Sequence, residues 1–196
     1  MKPITNWNEV KATGAFQKLP AGAYEIKILD AAEVHQYSPK NGNTYDMLEI
    51  SFDISDGEFI DYYANDYRSQ TTEDKKWRGV VKFFVPKGDG TPEDAKTAGK
   101  LKAAINAVED SNTGYTWDWN EKSLKGKKVA CIFRNEEWEW NGKSGMTARP
   151  MYFISVADYA QGKYTIPADK LLKKAPTPVA SASSYTDLAN DDDLPF

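Results

Sequence analysis

Alternation of apolar and polar residues over residues 23–64 limits the fold more than any other feature of this chain. Residues 23–34 set Tyr24, Ile26 and Ile28 on one side and Glu25 and Lys27 on the other, the period of a half-buried strand. Ser38-Pro39-Lys40-Asn41-Gly42-Asn43 follows, with the Asn-Gly pair that suits the positive φ angles of a hairpin turn. Residues 44–54 alternate again, with Leu48, Ile50, Phe52 and Ile54 inward and Glu49, Ser51 and Asp53 outward. Asp56-Gly57 reads as a second hairpin. It leads to a third strand over residues 58–64, with Ile60 and Tyr62 on one face and Phe59, Asp61 and Tyr63 on the other.

After Asn65 the pattern turns irregular, basic and aromatic. Thr91-Pro92-Glu93-Asp94 then opens a helix: Thr91 as cap, Pro92 in the first turn, acids beside the positive end of the dipole. Ala98, Leu101, Ile105 and Val108 form its apolar stripe. Residues 110–114 stop it. A long strand is expected over 124–140, a turn over 141–145 and a returning strand over 147–157. Five short strands with a helix between the third and fourth predict an OB-fold, a small Greek-key barrel, over residues 1–174. Residues 175–190, with Pro176, Pro178, Ser181, Ser183 and Ser184, read as a flexible linker.

The 196 residues fit one domain with appendages better than two domains. A single cysteine, Cys131, excludes an internal disulfide framework, and together with the single histidine, His35, it excludes the usual zinc sites. The same count disfavours Cys–His and Ser–His catalysis. No cofactor or metal is expected. Residues 1–10 lack the apolar core of a signal peptide, and the apolar runs are too short to span a bilayer. The expectation is a soluble protein of a reducing cytoplasm, away from membranes.

The formal charge of -4 is unevenly spread. Residues 175–196 hold four Asp and no base, so residues 1–174 carry 25 positive and 25 negative groups. Residues 23–61 are strongly acidic, whereas 67–87, 121–134 and 163–174 are basic. Such segregation fits either a basic surface opposite an acidic one or ordinary solvated faces.

The chain ends Asp191-Asp192-Asp193-Leu194-Pro195-Phe196. Three carboxylates attract a basic patch at long range. The Phe196 ring fills an apolar pocket while its own carboxylate pairs with a base. This ending closely resembles the acidic tip of single-stranded DNA-binding proteins (SSBs), with Leu194 where the bacterial tip usually has Ile. The body is more similar to phage-encoded SSBs, through Leu19-Pro20-Ala21-Gly22-Ala23-Tyr24 and Trp138-Glu139-Trp140-Asn141-Gly142-Lys143. The resemblance implies an OB-fold that binds single strands with little sequence preference, in the host cytoplasm, without catalysis. It also implies that residues 191–196 recruit replication, recombination and repair proteins. The linker reaches about 22–27 Å, enough for the tip to compete with DNA for the basic groove.

Single strands bind to aromatic platforms beside cations. The aromatics on polar faces or in polar loops are Tyr37, Tyr45, Tyr63, Tyr67, Trp77, Trp138 and Trp140. The cations interleaved with them are Lys40, Arg68, Lys75, Lys76, Arg78, Lys82, Arg134, Lys143 and Arg149. Glu136, Glu137 and Glu139 beside the two tryptophans repel phosphate, so the last hairpin either stacks bases with little charge or serves another contact. Trp117-Asp118-Trp119 reads as packing against the barrel and Cys131 as a small core residue. Gly142-Lys143-Ser144 lacks the upstream glycine of a phosphate loop, since position 137 is Glu137. A calcium loop centred on Gly57 would begin at Phe52, which is no ligand. The alternatives are an annealing or recombination mediator that also holds duplex DNA, and a β-rich protein-interaction module without DNA binding.

Overall fold

The computed structural model describes residues 17–38 and 42–172. The described chain is mainly β: an open, five-stranded antiparallel sheet with a few helices. Strand β1 spans Gly22–Ser38 and β2 spans Asn43–Ile54. Helix α1 is Tyr62–Ser69 and β3 is Val80–Phe84. Helix α2 covers Pro92–Ser111, and a 3₁₀ turn follows at Glu121–Leu124. Strands β4 (Lys128–Trp140) and β5 (Lys143–Ile154) form the last hairpin, and α3 is Val156–Ala160. The strands lie in the order β3-β2-β1-β4-β5, so β1 is central and β3 and β5 are the edges.

The alternation read from the sequence holds over the first two strands. Ile26 and Ile28 of β1 and Leu48, Ile50, Phe52 and Ile54 of β2 are buried. One irregularity breaks the count: Ile28 pairs with Phe52 but Asp30 pairs with Ser51, leaving Leu29 extra. This bulge flips the parity of β1, so that Ala31 rather than Asp30 is buried. A second irregularity leaves Met151 of β5 extra between Tyr152 and Pro150. Bulges bend and twist the strand that carries them. Helix α2 begins where its cap was expected, with Thr91 Oγ1 accepting from Asp94 N at 3.2 Å. Leu101, Ile105 and Val108 from its stripe join Val129, Cys131 and Phe133 of β4 in the core.

The third strand is not where alternation put it. Residues 58–64 turn into α1, and β3 is formed by residues 80–84. The cause is Asp53, expected outward but buried. Its carboxylate accepts from the N–H groups of Ile54, Tyr63 and Ala64, each at 2.9 Å. Two of these are the otherwise orphaned donors at the start of α1. Burial pushes the Asp53 carboxyl above the ordinary range, and the three N–H donors pull it back by less. The parity of residues 58–64 is consequently reversed: Ile60 is exposed, whereas Tyr63 is buried against Phe52 at a ring distance of 5.4 Å.

The boundaries of the last hairpin also shift. The strand expected over 124–140 begins only at Lys128, and Leu124 instead ends the 3₁₀ turn, which is capped by the Asn120 side chain accepting from Lys122 N. The connection between β4 and β5 shrinks to Asn141 and Gly142, both at positive φ (49° and 72°), as a tight two-residue turn requires.

Gly79 marks the entry to β3. A Cβ placed there would lie 2.3 Å from the Phe52 carbonyl oxygen and 2.7 Å from the Tyr63 ring. Gly79→Ala is expected to lower stability by about 2–3 kcal/mol through overpacking, read as a lower urea midpoint at unchanged slope. Asp53→Ala strands the α1 donors and is expected to cost about 2–4 kcal/mol.

Candidate nucleic-acid interface

The two edge strands approach each other across the core. Phe83 of β3 and Phe153 of β5 meet edge to face with ring centroids 5.1 Å apart. Toward the N-terminal ends of both strands the edges part, leaving a cleft of about 460 Å³. Val80, Val81 and Lys82 form one wall and residues 146–150 of β5 the other; Tyr62 and Tyr63 of α1 close the end.

Four cations line this cleft, Lys18, Arg78, Lys82 and Arg149, against two carboxylates, Asp66 and Glu136. Arg78 Nη1 pairs with the buried Asp66 at 2.9 Å and Lys82 Nζ with Glu49 at 2.8 Å. Glu136 is taken by Arg134 Nη2 at 2.6 Å. Among the described residues, Lys18 and Arg149 make no ion pair. Arg149 lies directly opposite Arg134 in the ladder, a like-charge pairing that opposes folding. Arg134 also keeps its Nε–H buried without a hydrogen-bond partner. Burial pushes the Tyr63 phenol far above its ordinary value, so Tyr63 stays a neutral ring at any working pH.

The outer face of the β1–β2–β3 half carries the aromatics. Tyr45 and Phe84 meet edge to face at 5.5 Å. Lys82 shares that face, opposite Glu49, and its Nζ also donates to Gln36 at 3.2 Å. Phe84 was missed from the sequence because the third strand was placed elsewhere. The signal was present: between Gly79 and Pro86, Val81 and Phe83 alternate with Lys82 and Phe84. Tyr37 is 62 % exposed on the β1–β2 arm.

A separate group gathers beyond α1. Tyr67 leans on Trp77 at 6.0 Å, with Lys75 Nζ 5.8 Å from the Tyr67 ring. Trp77 itself is half-buried, its indole N–H shared between the Phe52 and Gly79 carbonyls, which makes it a packing residue. Arg68 turns to Asn65 at 2.9 Å and Lys76 to Asp74 at 3.6 Å. Tyr63, expected outward, is likewise part of the core, with only its edge toward the cleft.

The last hairpin presents Trp138 and Trp140 on the same parity, opposite Gly145 and Lys143. A Cβ at Gly145 would stand 3.2 Å from the Trp138 ring, so the indole lies over the glycine. Trp140 is 73 % exposed. Two of the three acids beside them are engaged: Glu136 by Arg134, and Glu137 by the N–H of Leu172 at 3.0 Å. Residues 170–172 run along this part of β4, with Lys170 bonded to Asn135 and Glu137. Lys40 and the tip Asp191, Asp192, Asp193, Leu194, Pro195 and Phe196 lie outside the described residues.

Glu33, His35 and Asp46 sit together on the exposed β1–β2 arm, one ligand atom from each within 4.8 Å of the others. All three are exposed, and no buried shell orients them as an outer shell normally orients metal ligands. His35 Nδ1 is hydrogen-bonded to Asp46 Oδ1. No family model matches the chain, and no curated protein matches it.

Donation of a hydrogen bond from His35 to the Asp46 carboxylate raises the His35 pKa above the ordinary 6.5. A raised histidine stabilises the fold fully below about pH 6.5 and loses that contribution as pH rises through the folded value. NMR titration of the single histidine should give a midpoint above 6.5, and Asp46→Asn should return it toward 6.5.

Proposed function

We propose that this chain binds single-stranded DNA with little sequence preference and acts as a coating and recruiting protein, not an enzyme, in the manner of phage-type SSBs. In this reading the sheet is an OB-type barrel left partly open between β3 and β5. The strand order, the helix between β3 and β4, and the Phe83–Phe153 contact across the seam support that assignment. The observation that carries the function is the convergence of Lys18, Arg78, Lys82 and Arg149 on one cleft between the edges. Phosphates follow these cations. Bases stack on Tyr45 and Phe84 on the outer face and on Tyr37, Trp138 and Trp140 of the two arms. Residues 191–196 recruit replication, recombination or repair proteins and compete with DNA for the same cations.

The test is a titration of intrinsic Trp fluorescence with oligo-dT and with duplex DNA at several salt concentrations. Saturable quenching by oligo-dT, weak for duplex and steeply reduced by salt, supports the reading. An equal response to duplex assigns a general DNA binder or annealing mediator. No response to either leaves a protein-interaction module. Arg149→Ala should weaken oligo-dT binding by about 3–10-fold at low salt and flatten the salt slope by about 0.7, the loss of one phosphate contact on a single strand. Trp140→Ala should cost about 1–3 kcal/mol if a base stacks there. Deleting residues 190–196 should raise affinity at low salt.

A further inference from the structure

A second cavity lies apart from the cleft and shares no lining residue with it. Leu48, Val85 and Leu101 form its apolar floor, and Trp117 and Trp119 stand beside Glu33 and Glu121 at its rim. Its volume of about 90 Å³ equals roughly three water molecules at ~30 Å³ each. That space admits the head group of one side chain.

Only half of the Trp117–Trp119 segment packs as its sequence suggested. Trp117 is partly buried against the core, its backbone N–H donating to Glu109 Oε1 at 2.8 Å. Trp119 is 78 % exposed and stacks on Trp117 with centroids 4.7 Å apart and planes at 33°. Its φ of 66° is left-handed, a conformation that costs a bulky residue energy and persists only where the surroundings enforce it. Asp118 bonding to Asn120 N, and Asn120 capping the 3₁₀ turn, supply that enforcement. An exposed indole is thereby held in a strained pose over a small acidic hollow. The Trp117 indole Nε1 is buried without a hydrogen-bond partner.

Among the described residues, Glu33 and Glu121 are the ionisable groups that line the hollow, and His35 and Asp46 stand within 4.8 Å of Glu33 in the cluster on the arm, paired with each other. The cation beside it, Lys122, is already committed to Asp30 and to the Ala31 carbonyl. Indole faces attract cations, and guanidinium groups stack on them while pairing with carboxylates. The same loop already uses this interaction, with Lys127 Nζ 4.3 Å from the Tyr115 ring centroid.

We propose that the Trp117–Trp119 hollow is a docking site for an arginine side chain presented by a basic segment of a partner protein. The guanidinium stacks on Trp119 and is paired by Glu33 and Glu121. Carboxylates at the rim repel phosphate, which sets this site against nucleic acid.

The test uses the full chain and the indole N–H signals of its six tryptophans in ¹H–¹⁵N spectra. Ac-Gly-Arg-Gly-NH2 should shift the Trp117 and Trp119 signals saturably, with a Kd on the order of 1–10 mM for so small a probe. The citrulline peptide, equal in shape and uncharged, should leave them in place. Trp119→Gly removes the ring while keeping the left-handed backbone accessible, and should weaken binding by about 3–10-fold. Glu33→Gln keeps the ring and should weaken it similarly, which covers the case in which the glycine variant folds poorly. Equal shifts with citrulline, no saturable shift with arginine, or undiminished binding in both variants would overturn the proposal. Shifts of Trp119 produced by oligo-dT or by protein concentration alone would overturn it too, assigning the hollow to nucleic acid or to a second copy. Failure of oligo-dT to bind elsewhere would count only against the DNA-binding reading.

Discussion

One buried carboxylate decides where the chain goes after its first hairpin. Asp53 ends β2 inside the protein and accepts three backbone N–H groups, two of them from the start of α1. Bonds from backbone donors to an ionised acceptor are stronger than neutral ones, and at a buried position their loss leaves stranded donors. The chain therefore leaves the sheet at residue 55 and returns only at Gly79, where its lack of a side chain lets the backbone pass against Phe52 and Tyr63. Val80–Phe84 take the edge of β2 that residues 58–64 leave free. The wall of the cleft formed by Val80, Val81 and Lys82 depends on that detour.

Curvature does the rest. The extra residues Leu29 and Met151 bend β1 and β5, and the two edges close to within one aromatic contact, Phe83 on Phe153. An edge strand normally invites pairing with another chain. Here the edges face each other and line their gap with cations. Two of those cations are held in ion pairs, Lys82 with the half-exposed Glu49 and Arg78 with the buried Asp66. Pairs open to water are weak, so Glu49 orients Lys82 at little cost, whereas parting Arg78 from Asp66 would strand a buried carboxylate. The Arg134–Arg149 opposition and the unpartnered Arg134 Nε place unfavourable energy where β4 meets this edge, offset in part by the Arg134–Glu136 pair.

Much of this was legible in the residues. The alternation of Ile26 and Ile28, and of Leu48 through Ile54, named the inner faces of β1 and β2. Thr91 and Pro92 placed the start of α2, and the Leu101–Ile105–Val108 stripe named its buried side. Three of the four cations that line the cleft, Arg78, Lys82 and Arg149, were among the sequence candidates, and Lys18 was not. What was misread has a common cause. Residues 58–64 alternate well enough for a strand, but with the wrong face: Tyr63 belongs inside and Ile60 outside. Once the third strand was misplaced, Phe84 was overlooked as the partner of Tyr45.

By itself the sequence determined local choices: the extended runs of β1, β2 and the last hairpin, where α2 is capped, and that basic and aromatic residues are interleaved after Asn65. Those depend on periodicity, caps and turn residues within a few positions of each other. Only the tertiary structure decided that Asp53 is an inward helix anchor, that Lys18 and Arg149 meet across one cleft, and that Trp117 packs while Trp119 is held out over two glutamates. These relations join residues about 10 to 130 positions apart. They arise from burial, from bulges that shift parity by one residue, and from edges brought together by curvature. None of these leaves a mark in the local pattern.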